Sequence, residues 1–127
     1  MNLDELHIGR ELARAAELFD AAQYHEAHEV LDALWEQVGP AEQDFFKGLI
    51  QACIALHHYQ LGNADGARKL YSGHRRYLGR YLPAHRGVDV AAFLADMQTC
   101  LDPLLRARPG AEPPFERERA PRLRLSS

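Results

Sequence analysis

Residues 24–35 read Tyr-His-Glu-Ala-His-Glu-Val-Leu-Asp-Ala-Leu-Trp, and the interpretation of the whole chain begins with this stretch. It carries two histidines, three carboxylates and the only tryptophan of the sequence. Its apolar residues recur at intervals of three and four, which is the spacing of one helix face: Ala27, Leu31, Leu34 and Val38. Gly39-Pro40 follows, the order of residues that ends a helix. The stretch therefore predicts an amphipathic helix over residues 24–38.

Four further helices are predicted from the same kind of evidence. They cover about residues 4–22, 41–61 and 64–82, and a fifth begins at Asp89 as its N-cap. Pro103 should kink or end the fifth helix near Cys100, because proline lacks a backbone donor. We therefore expect one helical domain over residues 1–105.

The C-terminal tail, residues 106–127, has a different composition. It holds four prolines and alternating charges without helical periodicity. Such a segment buries too little apolar surface to fold alone, so it is predicted to be disordered or to lie on a neighbour.

An internal repeat relates the first four helices. A shift of 40 residues places Ala27 on Ala67, and the corner 21–23 on the corner 61–63. Small residues at these positions resemble those of the tetratricopeptide (TPR) repeat, in which paired helices cross closely. The predicted fold is an all-α five-helix bundle of two TPR-like antiparallel helical hairpins plus a C-terminal helix.

The composition is that of a globular domain, with 46% hydrophobic and 26% charged residues in 127. No apolar run reaches the length of a membrane span, and the acidic N-terminus lacks the basic start of a signal peptide. Cys53 and Cys100 match no metal or redox spacing and are expected to be free thiols. We therefore expect a cytoplasmic location and no contact with a membrane.

Charge is distributed unevenly. Residues 1–44 carry two basic residues against eleven acids, whereas residues 45–86 carry seven basic residues against one acid. This layout suits pairing within the chain or within a homodimer at least as well as a nucleic-acid partner. Nucleic-acid binding through the basic helix at residues 68–80 is the weakest alternative, because no DNA-binding motif accompanies it.

The polar residues of the second helix define the candidate site. His28, Asp32 and Trp35 share one flank, which we expect to face the third helix, while Glu29 points elsewhere. His57 continues the apolar face of the third helix, so its buried imidazole needs a partner from His28, Glu29 or Asp32. The full candidate cluster is Tyr24, His25, His28, Glu29, Asp32, Trp35, Gln51, His57 and His58.

Three functions of this cluster stay open. It could be a fixed polar network in a non-enzymatic binding or scaffold domain, or the lining of a small-molecule pocket. It could instead hold one divalent metal ion in a hydrolase-like enzyme, with ligands from His28, Glu29, Asp32 and His57. The sequence favours the non-enzymatic interpretation and predicts no cofactor other than that ion. The two metal templates tested, HExxH and paired Glu-x-x-His, are both absent.

The motifs together resemble a known family. The second helix is followed by Asp-Phe-Phe-Lys-Gly-Leu-Ile-Gln at 44–51, Ala-Leu-His-His at 55–58, and Gly-Asn and Gly-Ala at 62–63 and 66–67. Over residues 12–105 this pattern is similar to the domain of unknown function DUF309, which implies an all-helical domain of unassigned activity. The characteristic positions matched are His28, Glu29, Trp35, Gly48, Gln51 and His57. Asp32 replaces a usual glutamate and Lys47 a common glutamine, so any role of Asp32 works through a shorter side chain.

Overall fold

The computed structural model describes residues 3–126, and five α-helices account for most of them. Their bounds are α1 Leu3–Asp20, α2 Tyr24–Gln37, α3 Pro40–Gln60, α4 Ala64–Leu78 and α5 Val90–Arg106. Successive helices pack on one another from α1 to α5. The predicted all-α, five-helix class is therefore confirmed. No helix in the described part of the chain combines the length and apolarity needed to cross a membrane.

The two helical corners that the internal repeat relates have the same geometry. Ala22 and Gly62 adopt left-handed backbone angles, with φ of 59° and 78°. In both corners the backbone N–H of the left-handed residue donates to the carbonyl three residues earlier. The backbone N–H of the next residue donates to the carbonyl five residues before it. These bonds form a Schellman motif, which turns the chain sharply after a helix. Ala27 and Ala67, the equivalent small residues beyond the corners, are fully buried.

Glycine allows α3 and α4 to approach closely. A Cβ atom on Gly48 would lie 2.6 Å from Cγ of Leu78, and one on Gly73 would lie 1.8 Å from Oε1 of Gln51. Real Cβ atoms essentially never come so near to another atom. The crossing of the second hairpin therefore depends on Gly48, which faces the backbone of Leu78, whereas at Gly73 the amide of Gln51 fills the space that a side chain would take.

The fifth helix was predicted to kink or end near Cys100. An end there is wrong, because the helix continues through Pro103 to Arg106. Proline removes a single backbone donor this close to the end of the helix. Leu101 and Leu104, on either side of it, are buried in the core and hold the last turn in place.

A short β-hairpin between α4 and α5 was not predicted. Strands β1 (Ala84–His85) and β2 (Val88–Asp89) are antiparallel, and His85 pairs with Val88 across the turn. Arg86 and Gly87 form that turn, with φ of 48° and 78°. Two positive φ values identify a type I′ turn, which joins two strands in a tight hairpin.

Arg86 ties this hairpin to the start of the chain. Its guanidinium donates to Glu42 at 2.7 Å and to Glu5 at 3.1 Å, and His85 contacts Glu42 at 2.8 Å. The hydrogen bonds from Arg86 and then from His85 lower the pKa of Glu42 to about 2. Arg80 similarly pairs with Asp44. These contacts join the acidic first third of the chain to the basic segment that follows it.

The tail, which was predicted to be disordered or to lie on a neighbour, makes contacts with the helices of its own chain. Beyond α5 it returns over the helices, where Leu123 is buried and its backbone N–H donates to Oδ1 of Asp20 at 2.8 Å. Leu125 forms a bridge to Val88 of the hairpin. The few apolar residues of the tail provide these attachments, which periodicity does not reveal. The division of the chain at residue 105 stays a prediction.

Candidate binding site

Several residues of the polar flank of α2 lie beside α3. Because the two helices are antiparallel neighbours, the first turn of α2 meets the last turn of α3. His25 and His57 meet there, with ring centroids 5.7 Å apart. At the other end, Asp32 and Trp35 border a groove with residues from the first half of α3. We call this surface the α2–α3 stripe, and it consists of His25, His28, Asp32, Trp35, Lys47, Ile50, Gln51, Ile54 and His57.

Three imidazoles gather at one end of the stripe. The ring of His25 lies 6.0 Å from that of His28 and 5.7 Å from that of His57, and its Nε2 is 2.8 Å from Oε1 of Glu29. The side chains of His25 and Glu29 are 58% and 64% exposed, so this pair contributes little to stability.

The environment of His57 differs from the one predicted. It is half-buried, and its nearest aromatic neighbour is His25 rather than one of the three expected partners. Glu29 is engaged with His25 as well, so it is not set apart from the cluster. The reason is the antiparallel register, which brings the start of α2 beside His57.

The proposed metal ligands have no support from geometry. Within residues 3–126, the structure contains no group of three or more histidine, cysteine, aspartate or glutamate side chains placed to hold a metal ion. The set of His28, Glu29, Asp32 and His57 is thus not brought together as one ligand sphere in that range.

The middle of the stripe is a groove of about 290 Å³. Its lining is Asp32, Trp35, Lys47, Ile50, Gln51, Ile54 and Leu70, so α4 contributes one wall. Trp35 is half-buried and packs against the hydrophobic core. Gln51 rests on Gly73, where any larger residue would displace its amide. The groove combines an apolar floor with one acidic and one basic residue.

His58 has a structural role outside the stripe. Its Nδ1 accepts a hydrogen bond from Nδ2 of Asn63 at 3.1 Å, while Oδ1 of Asn63 accepts from the backbone of Gly66 at 3.0 Å. A Cβ on Gly66 would lie 2.7 Å from the Asn63 amide. The histidine, asparagine and glycine therefore form the N-terminal cap of α4.

Tyr24 also lies apart from the stripe. Its ring is buried, 5.2 Å from Phe19 and 6.1 Å from Phe115 of the tail. Burial raises the pKa of its hydroxyl, which has no hydrogen-bond partner among the described residues. Of the predicted cluster, Tyr24 and His58 are thus outside the site.

His74 was missed as a buried residue. It is fully buried in α4, where its Nδ1 donates to the carbonyl of Tyr71 and its Nε2 has no partner among the described residues. Burial lowers the pKa of this imidazole to about 4. Its spacing from Ala67, Tyr71 and Leu78 is that of an apolar face, a signal that the surrounding arginines obscured.

The basic run that contains His74 mainly holds helices together. Arg68 donates to the carbonyl of Leu104 at 3.0 Å, and Arg75 donates to that of Leu94 at 3.1 Å. Both acceptors belong to α5. These two arginines are therefore engaged in packing α4 against α5. This leaves fewer arginines of α4 free to contact a nucleic acid.

Comparisons with known proteins agree with the motif analysis. Residues 12–70 match the family model described as domain of unknown function DUF309. The chain is 33% identical over 67 residues to the uncharacterized protein YpuF of Bacillus subtilis (strain 168), covering 52% of this chain and 37% of that protein. It is 28% identical over 118 residues to an uncharacterized protein of Aquifex aeolicus (strain VF5), covering 85% of this chain and 34% of that protein.

The chain thus spans little more than a third of the length of either relative. The matched segment contains α2 and α3, and with them most of the α2–α3 stripe. It also contains the cap of α4 built by His58 and Asn63. The match to the DUF309 model therefore covers residues 12–70, a little under half of the chain, and agrees with the resemblance that the motifs indicate.

Proposed function

We propose that the protein is a non-enzymatic binding module, and that its α2–α3 stripe docks a peptide segment of another protein. The observation that carries this proposal is the groove at the centre of the stripe, where the only tryptophan is half-exposed over an apolar floor. Tryptophan supplies a large contact area with one polar group, which is why it is enriched at binding hot spots.

The size of the groove indicates what it takes. At about 290 Å³ it falls at the lower limit of small-molecule pockets, which begin at roughly 300 Å³. Ile50, Ile54 and Leu70 give it apolar walls. It therefore fits one apolar side chain of a longer ligand, and the flanking parts of that ligand would extend along the stripe.

Charges at the rim fix the orientation of the ligand. Asp32 lies on the α2 side and Lys47 on the α3 side. Lys47 is also 5.3 Å from the ring centroid of Tyr77, which holds its ammonium near α4. We infer a peptide with a basic residue on one side of its apolar anchor and an acidic residue on the other.

The thiols support a function without a cysteine nucleophile. Burial raises the pKa of Cys100 to about 11 and raises that of Cys53 further. A thiol must be deprotonated to act as a nucleophile, and neither group is deprotonated near neutral pH.

Selection of peptides from a displayed library on the full chain would test this function. Trp35 is the only tryptophan, so its fluorescence reports directly whether a selected peptide enters the groove. We expect Ile54→Glu to weaken the selected peptides by about tenfold or more, since a buried carboxylate replaces an apolar wall. Ala33→Glu, on an exposed part of α2, is the matched control and should change the affinity little.

Two results would contradict the proposal. One is a set of binding peptides that leave Trp35 emission unchanged. The other is equal affinity for the Ile54→Glu variant and its control, provided that circular dichroism shows the same helix content in both.

A further inference from the structure

The tail seats an aromatic residue in an aromatic recess where the first turn of α2 meets the last turn of α3. The ring of Phe115 stands edge-on to Tyr59, with centroids 5.5 Å apart, and to Tyr24 at 6.1 Å. Pro113 and Pro114 precede it and line a cavity of about 560 Å³ with Tyr59 and the end of α3. Edge-to-face contacts of this kind are favourable beyond the area that they bury.

Beyond Phe115 the tail is fastened at only a few points. Arg117 donates to the carbonyl of Asp20 at 3.2 Å, and the backbone of Leu123 donates to the side chain of the same residue. The backbone of Ser126 donates to the carbonyl of Gly87 at 2.8 Å. Leu123 is buried in the hydrophobic core and Leu125 bridges to Val88, while most other residues beyond Phe115 are exposed.

One buried polar group in the recess under the tail lacks a hydrogen-bond partner among the described residues. The hydroxyl of Tyr24 is buried next to Phe115 and has no hydrogen-bond partner in the described part of the chain. A buried unpaired hydroxyl disfavours the covered state relative to one in which water reaches it. The tail is therefore held less tightly than its aromatic contacts alone would indicate.

A compact turn connects the tail to α5. Ala111 donates to the carbonyl of Arg108 at 2.9 Å, and Gly110 has a φ of 86°. This turn at residues 108–111 leads the chain from α5 to the segment that returns to the recess. A short connection of this kind is where exchange of a terminal segment between two copies occurs.

We propose that the tail is an exchangeable arm, and that the recess formed by Tyr24 and Tyr59 binds Pro113-Pro114-Phe115 from a second copy of this chain when the turn at residues 108–111 cannot close. The seated segment itself argues for this occupant, because its fit to the recess is visible within one chain. Binding within one chain is favoured at low concentration, since the connected segment has a high effective concentration at its own recess. The result is a tail-exchanged dimer, distinct from any partner of the α2–α3 stripe.

Deleting residues 108–111 from the full chain tests the exchange. The shortened chain cannot return its own tail to the recess, so we expect sedimentation equilibrium to give twice the mass of the shortened chain, which lacks four residues of the 14.4 kDa full chain. Adding Phe115→Ala to the deletion should weaken the dimer by about tenfold or more, because the aromatic anchor is lost. Circular dichroism of each variant establishes that the helices are intact.

A folded deletion chain that sediments as a monomer would overturn the proposal, since the recess then fails to take a second copy's tail. A dimer that is unaffected by Phe115→Ala would also overturn it, because association would then run through another surface. Phe115→Ala in the chain with its turn intact should stay monomeric and keep its helix content.

Discussion

Lowering the pH from 8 to 5 should reduce the free energy of unfolding by about 2 kcal/mol through His74. This imidazole is fully buried between the rings of Tyr71 and Phe93, with the guanidinium of Arg75 nearby. In the unfolded chain its pKa is near 6.5, and burial lowers it to about 4 in the folded protein. Between about pH 4 and pH 6.5, the unfolded chain therefore binds a proton at His74 that the folded protein does not bind.

The direction of the effect follows from that difference. The stability that depends on neutral His74 is complete above pH 6.5 and is lost as the pH falls towards 4. The full loss would be about 3 kcal/mol, because each pKa unit corresponds to about 1.4 kcal/mol. Glu42 contributes little in this window, because its own pKa shift acts between 4.5 and about 2.

Urea denaturation of the wild type and of His74→Leu, monitored by circular dichroism at pH 8 and pH 5, measures the effect. Leucine does not titrate, so the variant should lose most of the difference between the two pH values. His7→Gln, an exposed histidine of α1, is the control and should retain that difference. An equal pH dependence in His74→Leu and the wild type would refute the reasoning.

Three further predictions concern the two left-handed corners, the crossing of α3 and α4, and the contacts of Arg86 and His85 with Glu42, which we call the hairpin clamp. Each is measured by urea denaturation at neutral pH. Ala22→Gly should stabilise the protein by about 0.5–1 kcal/mol and Gly62→Ala should destabilise it by about 1 kcal/mol, because both positions have left-handed φ angles. Equal effects of the same sign would contradict the shared corner. Gly48→Ala should cost about 1–3 kcal/mol, since the new methyl group meets Leu78, and an unchanged midpoint would show that the crossing has room for it. Glu42→Gln should cost about 1–2 kcal/mol by removing the charge-assisted bonds of the hairpin, and it should also reduce the loss of stability as the pH falls from 4.5 to about 2. A variant as stable as the wild type at neutral pH would show that the clamp contributes nothing.

Most of the fold was predictable because a helix is encoded by the local pattern of its own residues. Apolar spacing, Gly39-Pro40 and the predicted N-cap at Asp89 identify helices from their own residues. The repeat by 40 residues also identified two equivalent corners, and their hydrogen bonds match. The β-hairpin was missed because Arg86-Gly87 is not among the dipeptides that signal a type I′ turn, and because the contact of Arg86 with Glu42 joins residues far apart in the sequence.

The candidate site was predicted only in part. A helical wheel shows which residues of α2 share a flank, so the placement of Asp32 and Trp35 towards α3 could be foreseen. The wheel does not give the register between two helices. The position of His57 beside His25, rather than beside His28, could therefore not be predicted from it. The roles of His58 in a cap and of Tyr24 under the tail depend on contacts that no local pattern encodes.

The order in which the helices pack also bears on how the chain folds. Because each helix packs against the next one in sequence, most contacts close short loops, and such topologies fold on the order of microseconds to milliseconds. The hydrogen bond from Arg86 to Glu5 joins residues that are 81 positions apart. Among the side-chain hydrogen bonds of the described residues, only those made by the tail join residues farther apart. We expect the two hairpins to form early in the folding transition, and the clamp and the tail to form after it. Mutations in the clamp should then change the rate of unfolding more than the rate of folding.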